Sequence, residues 1–299
     1  MLPNGNMSEV QRRQMSTIEA DNVFALRING TFDDCQDLVK QAFIQRDFLK
    51  PDQYLLAVNS INWTRIVGQI CYYFFAYNRL ANYQNLNFSI PTGNFGNVFA
   101  CYSAFKMGLP IKTISVAVND NDILHRFFAS NDYSKKQVHE TISPSMDISV
   151  ASNFERLVYD FFLDRSTAKC AELFNSFPSQ GIELDEATWN KKNVLFSSSS
   201  VDDAATQAII QSINNEHHYL LDPHTAVAMQ ESMKSSTSTD HYVVLATAHP
   251  AKFPDIYKKL AIDLSEIPKA LKGLYDKTEY LHHFDANYDE ITSFINSRN

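Results

Sequence analysis

The sequence predicts an α/β protein with a mainly parallel sheet and helices on both faces. Three observations carry this reading. Short apolar runs alternate with helix-like segments from Val23 to Phe128. The stretch Pro91-Thr92-Gly93-Asn94-Phe95-Gly96-Asn97 joins one apolar run, Asn87–Ile90, to a helical segment ending at Lys106. A second strand-to-helix junction, Leu245-Ala246-Thr247-Ala248-His249-Pro250, comes late in the chain. Right-handed crossovers between parallel strands place such junctions beyond the carboxyl ends of strands, where open α/β sheets bind ligands.

The elements follow in order. Ser8 is expected to cap a helix, with Gln11 three residues on. Val23–Ile28 reads as a strand, and Thr31 with the acids Asp33 and Asp34 opens a helix to about Phe43. Tyr54–Val58 reads as a short strand. Trp63–Tyr77 carries apolar residues at helical spacing. Phe88–Ile90 is the strand before the glycine loop. The helix after it stops near Gly108 and Pro110. Ile111–Val118 is a strand, and Asn119–Asp122 caps a helix through Phe128. From Asn153 the strand signal fades into four helical segments, with Ser197–Ser200 as a polar break. Pro223 opens another helix, Tyr242–Ala246 is a strand, and Pro250 starts a helix reaching Ala261. The expected division is an α/β region over 1–152, a helical insertion over 153–214, a returning α/β element over 215–267 and a helical tail over 268–299. Ser235–Ser238 is a second polar run, and no internal repeat is evident.

Composition narrows the function. A chain of 299 residues with 44% hydrophobic content has room for one large α/β unit or two domains. Its net charge of −8, from 34 acidic and 26 basic residues, argues against a general nucleic-acid binder or an anionic-membrane binder. Cys35, Cys71, Cys101 and Cys170 form no C-x-x-C, which suits a reducing cytoplasm better than a disulfide framework or zinc site. No signal peptide is evident. The apolar stretch Ile66–Tyr77 is too short to span a bilayer. The nine histidines include no H-x-x-x-H pair, and no G-x-S-x-G is present.

Three polar clusters at strand ends are the candidate site. The first free N–H groups of a helix point outward and its dipole favours an anion. Gly93 and Gly96 let the backbone come close to a ligand or take positive φ. The loop therefore suits a phosphate, although the same spacing also suits an ordinary strand-to-helix turn. The Thr247 hydroxyl faces the same crevice, or else caps the following helix. Asn59, Ser60 and Arg65 suit an anion, or else form an N-cap with a surface arginine.

Together the stretches resemble threonine synthase. They are P-T-G-N-F-G-N (Pro91–Asn97), G-L-P-I-K (Gly108–Lys112), N-D-N-D-I-L-H-R-F (Asn119–Phe127), S-P-S-M-D-I-S-V-A-S-N-F-E-R (Ser143–Arg156), D-P-H-T-A-V (Asp222–Val227) and T-A-H-P-A-K-F (Thr247–Phe253). G-T-F-D-D-C-Q-D-L-V-K (Gly30–Lys40) and N-S-I-N-W-T-R (Asn59–Arg65) belong with them. The likeness runs from about Asn4 to about Phe253. It implies a partial pyridoxal-phosphate fold of type II. It also implies a cytoplasmic lyase of threonine biosynthesis that turns O-phospho-L-homoserine and water into L-threonine and phosphate. By the same likeness Gly93, Asn94, Phe95, Gly96 and Asn97 cradle the phosphate of pyridoxal 5'-phosphate, and Thr247 meets its ring nitrogen. Many relatives have Asp where Asn97 stands. Asn59, Ser60 and Arg65 are the expected contacts to substrate carboxylate or phosphate.

The family's Schiff-base lysine lies upstream of every stretch matched here. Lys106 follows a superficially similar Ser103-Ala104-Phe105, but a full helix past the phosphate loop. No catalytic residue is therefore assigned, and the sequence reads as a truncated carboxyl-terminal part with impaired activity on its own. Two alternatives stay open. One is a non-catalytic remnant or subunit that binds a phosphorylated small molecule or a partner. The other is a complementary chain that supplies the missing amino-terminal half.

Overall fold

A computed structural model of the chain describes residues 1–4, 7–80, 86–235, 241–264 and 267–298. In chain order the first elements are β1 (Leu2–Pro3), α1 (Glu9–Ser16), β2 (Ala25–Asn29), α2 (Phe32–Gln45), α3 (Trp63–Arg79), β3 (Leu86–Pro91), α4 (Gly96–Lys106), β4 (Ile111–Val118) and α5 (Ile123–Ser130). There follow α6 (Phe154–Leu157), α7 (Thr167–Gln180), α8 (Glu186–Asn190), β5 (Phe196–Ser200), α9 (Asp203–His217) and α10 (Pro223–Ser235). The last are β6 (His241–Val244), α11 (Pro254–Lys259), β7 (Leu281–Asp285) and α12 (Tyr288–Arg298). The chain forms two compact units, Met1–Leu56 with Ala251–Asn299, and Ala57–Pro250. Every strand pairing within the two sheets is parallel, as the α/β reading expects.

The first unit has a three-stranded sheet in the order β1-β2-β7. Thr31 and Asp34 form a capping box at α2: the Asp34 N–H donates to Thr31 Oγ1 at 3.2 Å and the Thr31 N–H to Asp34 Oδ2 at 2.7 Å. Leu26 and Ile28 of β2 pack with Leu38, Phe48, Tyr288 and Ile291 from one face of the sheet. Arg12 grips Glu279 with two parallel 2.9 Å hydrogen bonds, and Ser16 Oγ donates to the same carboxylate at 2.7 Å. The Arg12 hydrogen bond, helped by Ser16 and Arg13, holds the Glu279 carboxyl down to about 2.

The second unit has a four-stranded sheet in the order β5-β4-β3-β6. Its core is unusually aromatic. Phe127 is fully buried and meets Phe154 at 4.8 Å, Phe128 at 5.4 Å and Phe162 at 5.4 Å between ring centroids, all edge to face. Phe95, Tyr133, Phe177 and Phe196 extend the same cluster. Ser89 Oγ donates to the Ala228 carbonyl at 2.7 Å and so ties α10 to β3.

Several expectations are corrected. Ser197–Ser200 is part of strand β5, not a break, so the 153–214 region contributes to the sheet and is not a separate helical insertion. Periodicity hides this strand because three of its four serine hydroxyls are satisfied individually, Ser197 by Ser115 at 2.7 Å, Ser198 by His125 at 3.0 Å and Ser200 by the Asn119 carbonyl at 2.9 Å, while the buried Ser199 Oγ has no partner among the described residues. The tail over 268–299 is not wholly helical. It carries β7, which pairs with β2, so the chain's two ends share one unit. Tyr54–Val58 forms no strand: Tyr54, Leu56 and Val58 are exposed, and no neighbouring strand pairs with this run among the described residues. Asp122 is the N-cap residue of α5 but makes no side-chain cap there, whereas Asn119 and Asn121 reach a neighbouring loop. The Ser235–Ser238 run lies, after Ser235, outside the described residues.

Two outcomes follow. Phe127→Ala should lower the stability of the second unit by about 3–5 kcal/mol in chemical denaturation, through lost burial and a residual cavity. Glu279 has its folded pKa below its ordinary value of 4.5, so its stabilisation is complete above about pH 4.5 and fades as pH falls toward 2. Because the pair is near the surface and screened by solvent, we expect an effect of about 1 kcal/mol or less. Glu279→Gln should flatten that acid limb of the denaturation midpoint.

Candidate functional site

Proline at the end of β3 leads into a loop whose backbone has one unusual residue. Phe95 sits at φ 65°, ψ 8°, a left-handed conformation that costs a bulky residue free energy. Its ring is buried and stands edge-on to Phe154 at 5.4 Å, so core packing offsets that cost. Phe95 is the N-cap residue of α4 and provides no side-chain hydrogen bond. The first turn of α4 thus opens onto a cleft of about 210 Å³ with its N–H groups uncapped.

The two glycines serve close approach, not positive φ, which the loop assigns to Phe95 instead. A Cβ on Gly93 would collide with the carbonyl oxygen of Ser145. A Cβ on Gly96 would stand 3.3 Å from Gln69 Oε1 and 3.7 Å from Ser60 Cβ. Gln69 lines the cleft, and its buried Oε1 has no hydrogen-bond partner among the described residues. A half-turn of that amide presents N–H at the same place. Uncapped N–H groups at a helix N-terminus are chemically able to hold a small anion.

Buried polar residues hold the loop in place. Asn153 is fully buried. Its Nδ2 donates to the Asn94 and Ser60 carbonyls, both at 3.0 Å, and its N–H donates to the Asn94 carbonyl at 3.1 Å. Ser152 Oγ donates to Asn94 Oδ1 at 3.1 Å. Tyr73, also fully buried, donates to the Asn97 carbonyl at 2.6 Å. Asn119 Nδ2 and Asn121 Nδ2 converge on Asp147 Oδ1 at 2.7 and 2.9 Å. They fix the segment that brings Ser145 and Met146 against Gly93.

On the opposite wall, Thr247 lies past the end of β6 and lines the cleft with its side chain exposed. It does not cap α11, whose N-cap residue is Phe253. Its N–H donates to Thr225 Oγ1 at 3.4 Å, and that hydroxyl donates to Asp222 Oδ2. His224 lies between the walls. Its Nε2 accepts from the Ser145 N–H at 3.3 Å, so its proton resides on Nδ1 and is donated to Asp222 Oδ1 at 3.1 Å. Burial pushes the Asp222 carboxyl up, but hydrogen bonds from His224 and Thr225 outweigh it and hold the group below its usual value.

Gly93, Asn94, Phe95, Gly96, Asn97, Thr247 and Ser60 therefore line one cleft. Asn59 and Arg65 do not line it. Asn59 Oδ1 accepts from the Ile61 N–H at 3.2 Å, and Arg65 donates to the Val58 carbonyl at 2.5 Å. The N-cap residue of α3 is Asn62, which accepts from the Thr64 N–H at 2.9 Å. Sequence reasoning missed Gln69, Ser145 and His224. The D-P-H-T run around His224 and the S-P-S-M run around Ser145 carried a signal, whereas Gln69 reaches the cleft only through tertiary packing. Among the described residues no lysine lines the cleft. Lys106 lies at the other end of α4, half exposed and 3.8 Å from Asp160. Among the described residues no His/Cys/Asp/Glu group could hold a metal ion, and no helix is long and apolar enough to cross a membrane.

Comparison with known proteins points the same way. Residues 2–172 match the model of the pyridoxal-phosphate dependent enzyme family, and residues 225–295 that of the threonine synthase C-terminal region. The chain is 44% identical over 299 residues to threonine synthase from Pseudomonas aeruginosa, covering 99% of this chain and 63% of the relative. It is 36% identical over 302 residues to threonine synthase from Saccharomyces cerevisiae, covering 92% of this chain and 59% of the relative. The crystal structure of PLP-bound threonine synthase from Brucella melitensis superposes with a TM-score of 0.90 at 39% identity, covering 99% of this chain and 64% of that one. The chain thus spans less than two thirds of the length of these relatives. Because the match over residues 2–172 takes in more than half of the chain and includes the whole glycine loop, the chain belongs to the pyridoxal-phosphate-dependent enzyme family.

Proposed function

We propose that this chain carries the cofactor-phosphate site of a threonine synthase, which forms L-threonine and phosphate from O-phospho-L-homoserine and water in the cytoplasm. The observation that carries the reading is the uncapped first turn of α4 behind Gly93, facing Thr247 across one cleft. Similarity to threonine synthases over nearly the whole chain supports it. The four unpaired cysteines suit a reducing compartment.

Pyridoxal 5'-phosphate, when bound, supplies an electron sink for charge developing beside the substrate's amino nitrogen. The N–H groups of Gly93–Asn97 and the α4 dipole would hold its phosphate. Asn97 adds hydrogen-bonding capacity there without a repelling charge. The neutral Thr247 hydroxyl would meet the ring nitrogen without holding a proton on it. Asp222, through Thr225, fixes where Thr247 stands. Ser60, beside the loop, is our substrate contact. Asn59 and Arg65 would first have to exchange their present bonds within their own loop for substrate oxygens.

A second reading has one observation in its favour, the lack of a lysine on the cleft wall among the described residues. In that reading the chain binds a phosphorylated small molecule without turnover. The threonine-synthase reading instead places the cofactor-linking lysine, and the acid/base for the α-proton, on a segment or complementary chain outside these residues.

Equilibrium titration separates a phosphate cradle from a plain turn. Pyridoxal phosphate should bind at least tenfold tighter than pyridoxal, and Gly93→Ala should abolish the difference. Equal binding of the two would sink the cradle. Phosphate release from O-phospho-L-homoserine should be undetectable for the chain alone and appear when a lysine-bearing amino-terminal segment of a threonine synthase is supplied. Turnover by the chain alone would show that an outside lysine is not required. No turnover in either case, with cofactor binding retained, would favour the second reading.

A further inference from the structure

We infer that the outer face of α3 is a docking surface for an apolar helix belonging to the portion of threonine-synthase chain that lies outside the match to this one. The inference rests on the threonine-synthase reading above. The inner face of α3 is ordinary: Ile66, Ile70 and Tyr73 are buried against the core. The outer face is not. A helix face that meets water normally carries charged residues, yet none lies in the helix between Arg65 and Arg79, and charge meets this face only at its ends, with Arg156 over the Trp63 ring at 5.5 Å and Arg79 over the Phe75 ring at 5.2 Å. Trp63, Val67, Cys71 and Phe75 follow at intervals of four residues and form one stripe along the helix. Trp63 is 49% exposed, Val67 45% and Phe75 62%, while Tyr72 beside them is 57% exposed and Cys71 is also exposed. Contiguous apolar surface of this kind marks an interaction site.

Gly68 says what kind of partner fits. It stands in mid-helix, where glycine lowers helix stability relative to alanine. Nothing among the described residues calls for it, since a Cβ there would meet no atom of theirs within 4 Å. A gap flanked by Val67, Cys71 and Tyr72 lets another helix backbone approach closely. The relatives say where that helix comes from. The Pseudomonas aeruginosa threonine synthase aligns with 99% of this chain yet is covered over only 63% of its own length. The Brucella melitensis structure is covered over 64%. The rest of each relative is polypeptide that this chain does not match, and the apolar stripe is a surface for it to cover.

Cys71 provides the readout, because Cys35, Cys101 and Cys170 are buried. The chain is mixed with the portion of the Pseudomonas aeruginosa enzyme outside the match, and modification by a small thiol reagent is followed. A complex should form, and Cys71 should react at least tenfold more slowly within it. Gly68→Leu should leave the circular dichroism and thermal midpoint of the chain alone intact while weakening the complex at least tenfold. A complex that leaves Cys71 reactive, a Gly68→Leu chain that binds as tightly as the parent, or no complex at all would overturn the inference. So would Cys71 already protected in the chain alone by self-association. Pyridoxal phosphate binding, measured on the same samples, keeps the two proposals apart. Binding retained without docking rejects the surface only, whereas loss of both rejects the functional reading as well.

Discussion

The left-handed backbone of Phe95 is the constraint on which the site depends. An aromatic residue adopts that conformation only when something else holds it. Here the holding force is burial of the ring among Phe128 and Phe154, within the cluster centred on Phe127. The turn at Phe95 starts α4 at the cleft wall and leaves its first N–H groups without a cap. Core packing and the presentation of the α4 terminus are therefore coupled through one residue. A change in the aromatic cluster reaches the helix terminus without touching a polar atom.

Polar residues complete what the core begins. Asn153 draws the Asn94 and Ser60 carbonyls together, and Asn119 and Asn121 hold Asp147 so that Ser145 lies against Gly93. These groups are buried and bonded, the condition under which a polar network specifies one arrangement instead of costing stability. Asp222 plays the matching part across the cleft. Its bonds to His224 and Thr225 keep it ionised in spite of burial and set the position of Thr247. The glycine loop and Thr247 thus line one cleft, and the bond from the Ser145 N–H to His224 ties the two sides together.

Much of this was legible in the sequence. Ile111–Val118 and the helix after Asn97 were readable from apolar runs and punctuation, and the glycine loop from its place between them. The serine-rich strand β5 was hidden because each of Ser197, Ser198 and Ser200 finds its own hydrogen-bond partner, a solution that periodicity cannot register. Tyr54–Val58 failed in the opposite way: strand-forming residues do not make a strand without a neighbour to pair with. Within the site, the loop and Thr247 were visible as local motifs. Gln69 was not, since it joins the cleft only through packing of α3, and Ser145 stood in a recognisable run without being marked as a site residue. The second glycine role was also mistaken, because it is Phe95 and not glycine that bends the chain.

The central claim is that the Gly93–Asn97 backbone and the α4 terminus hold a phosphate dianion away from water. Phosphorus NMR of pyridoxal phosphate on the chain measures this most directly. A held dianion should keep one chemical shift as pH is varied through about 6, the ordinary second pKa of a phosphate monoester. A resonance that titrates near pH 6 as it does in free cofactor would contradict the account.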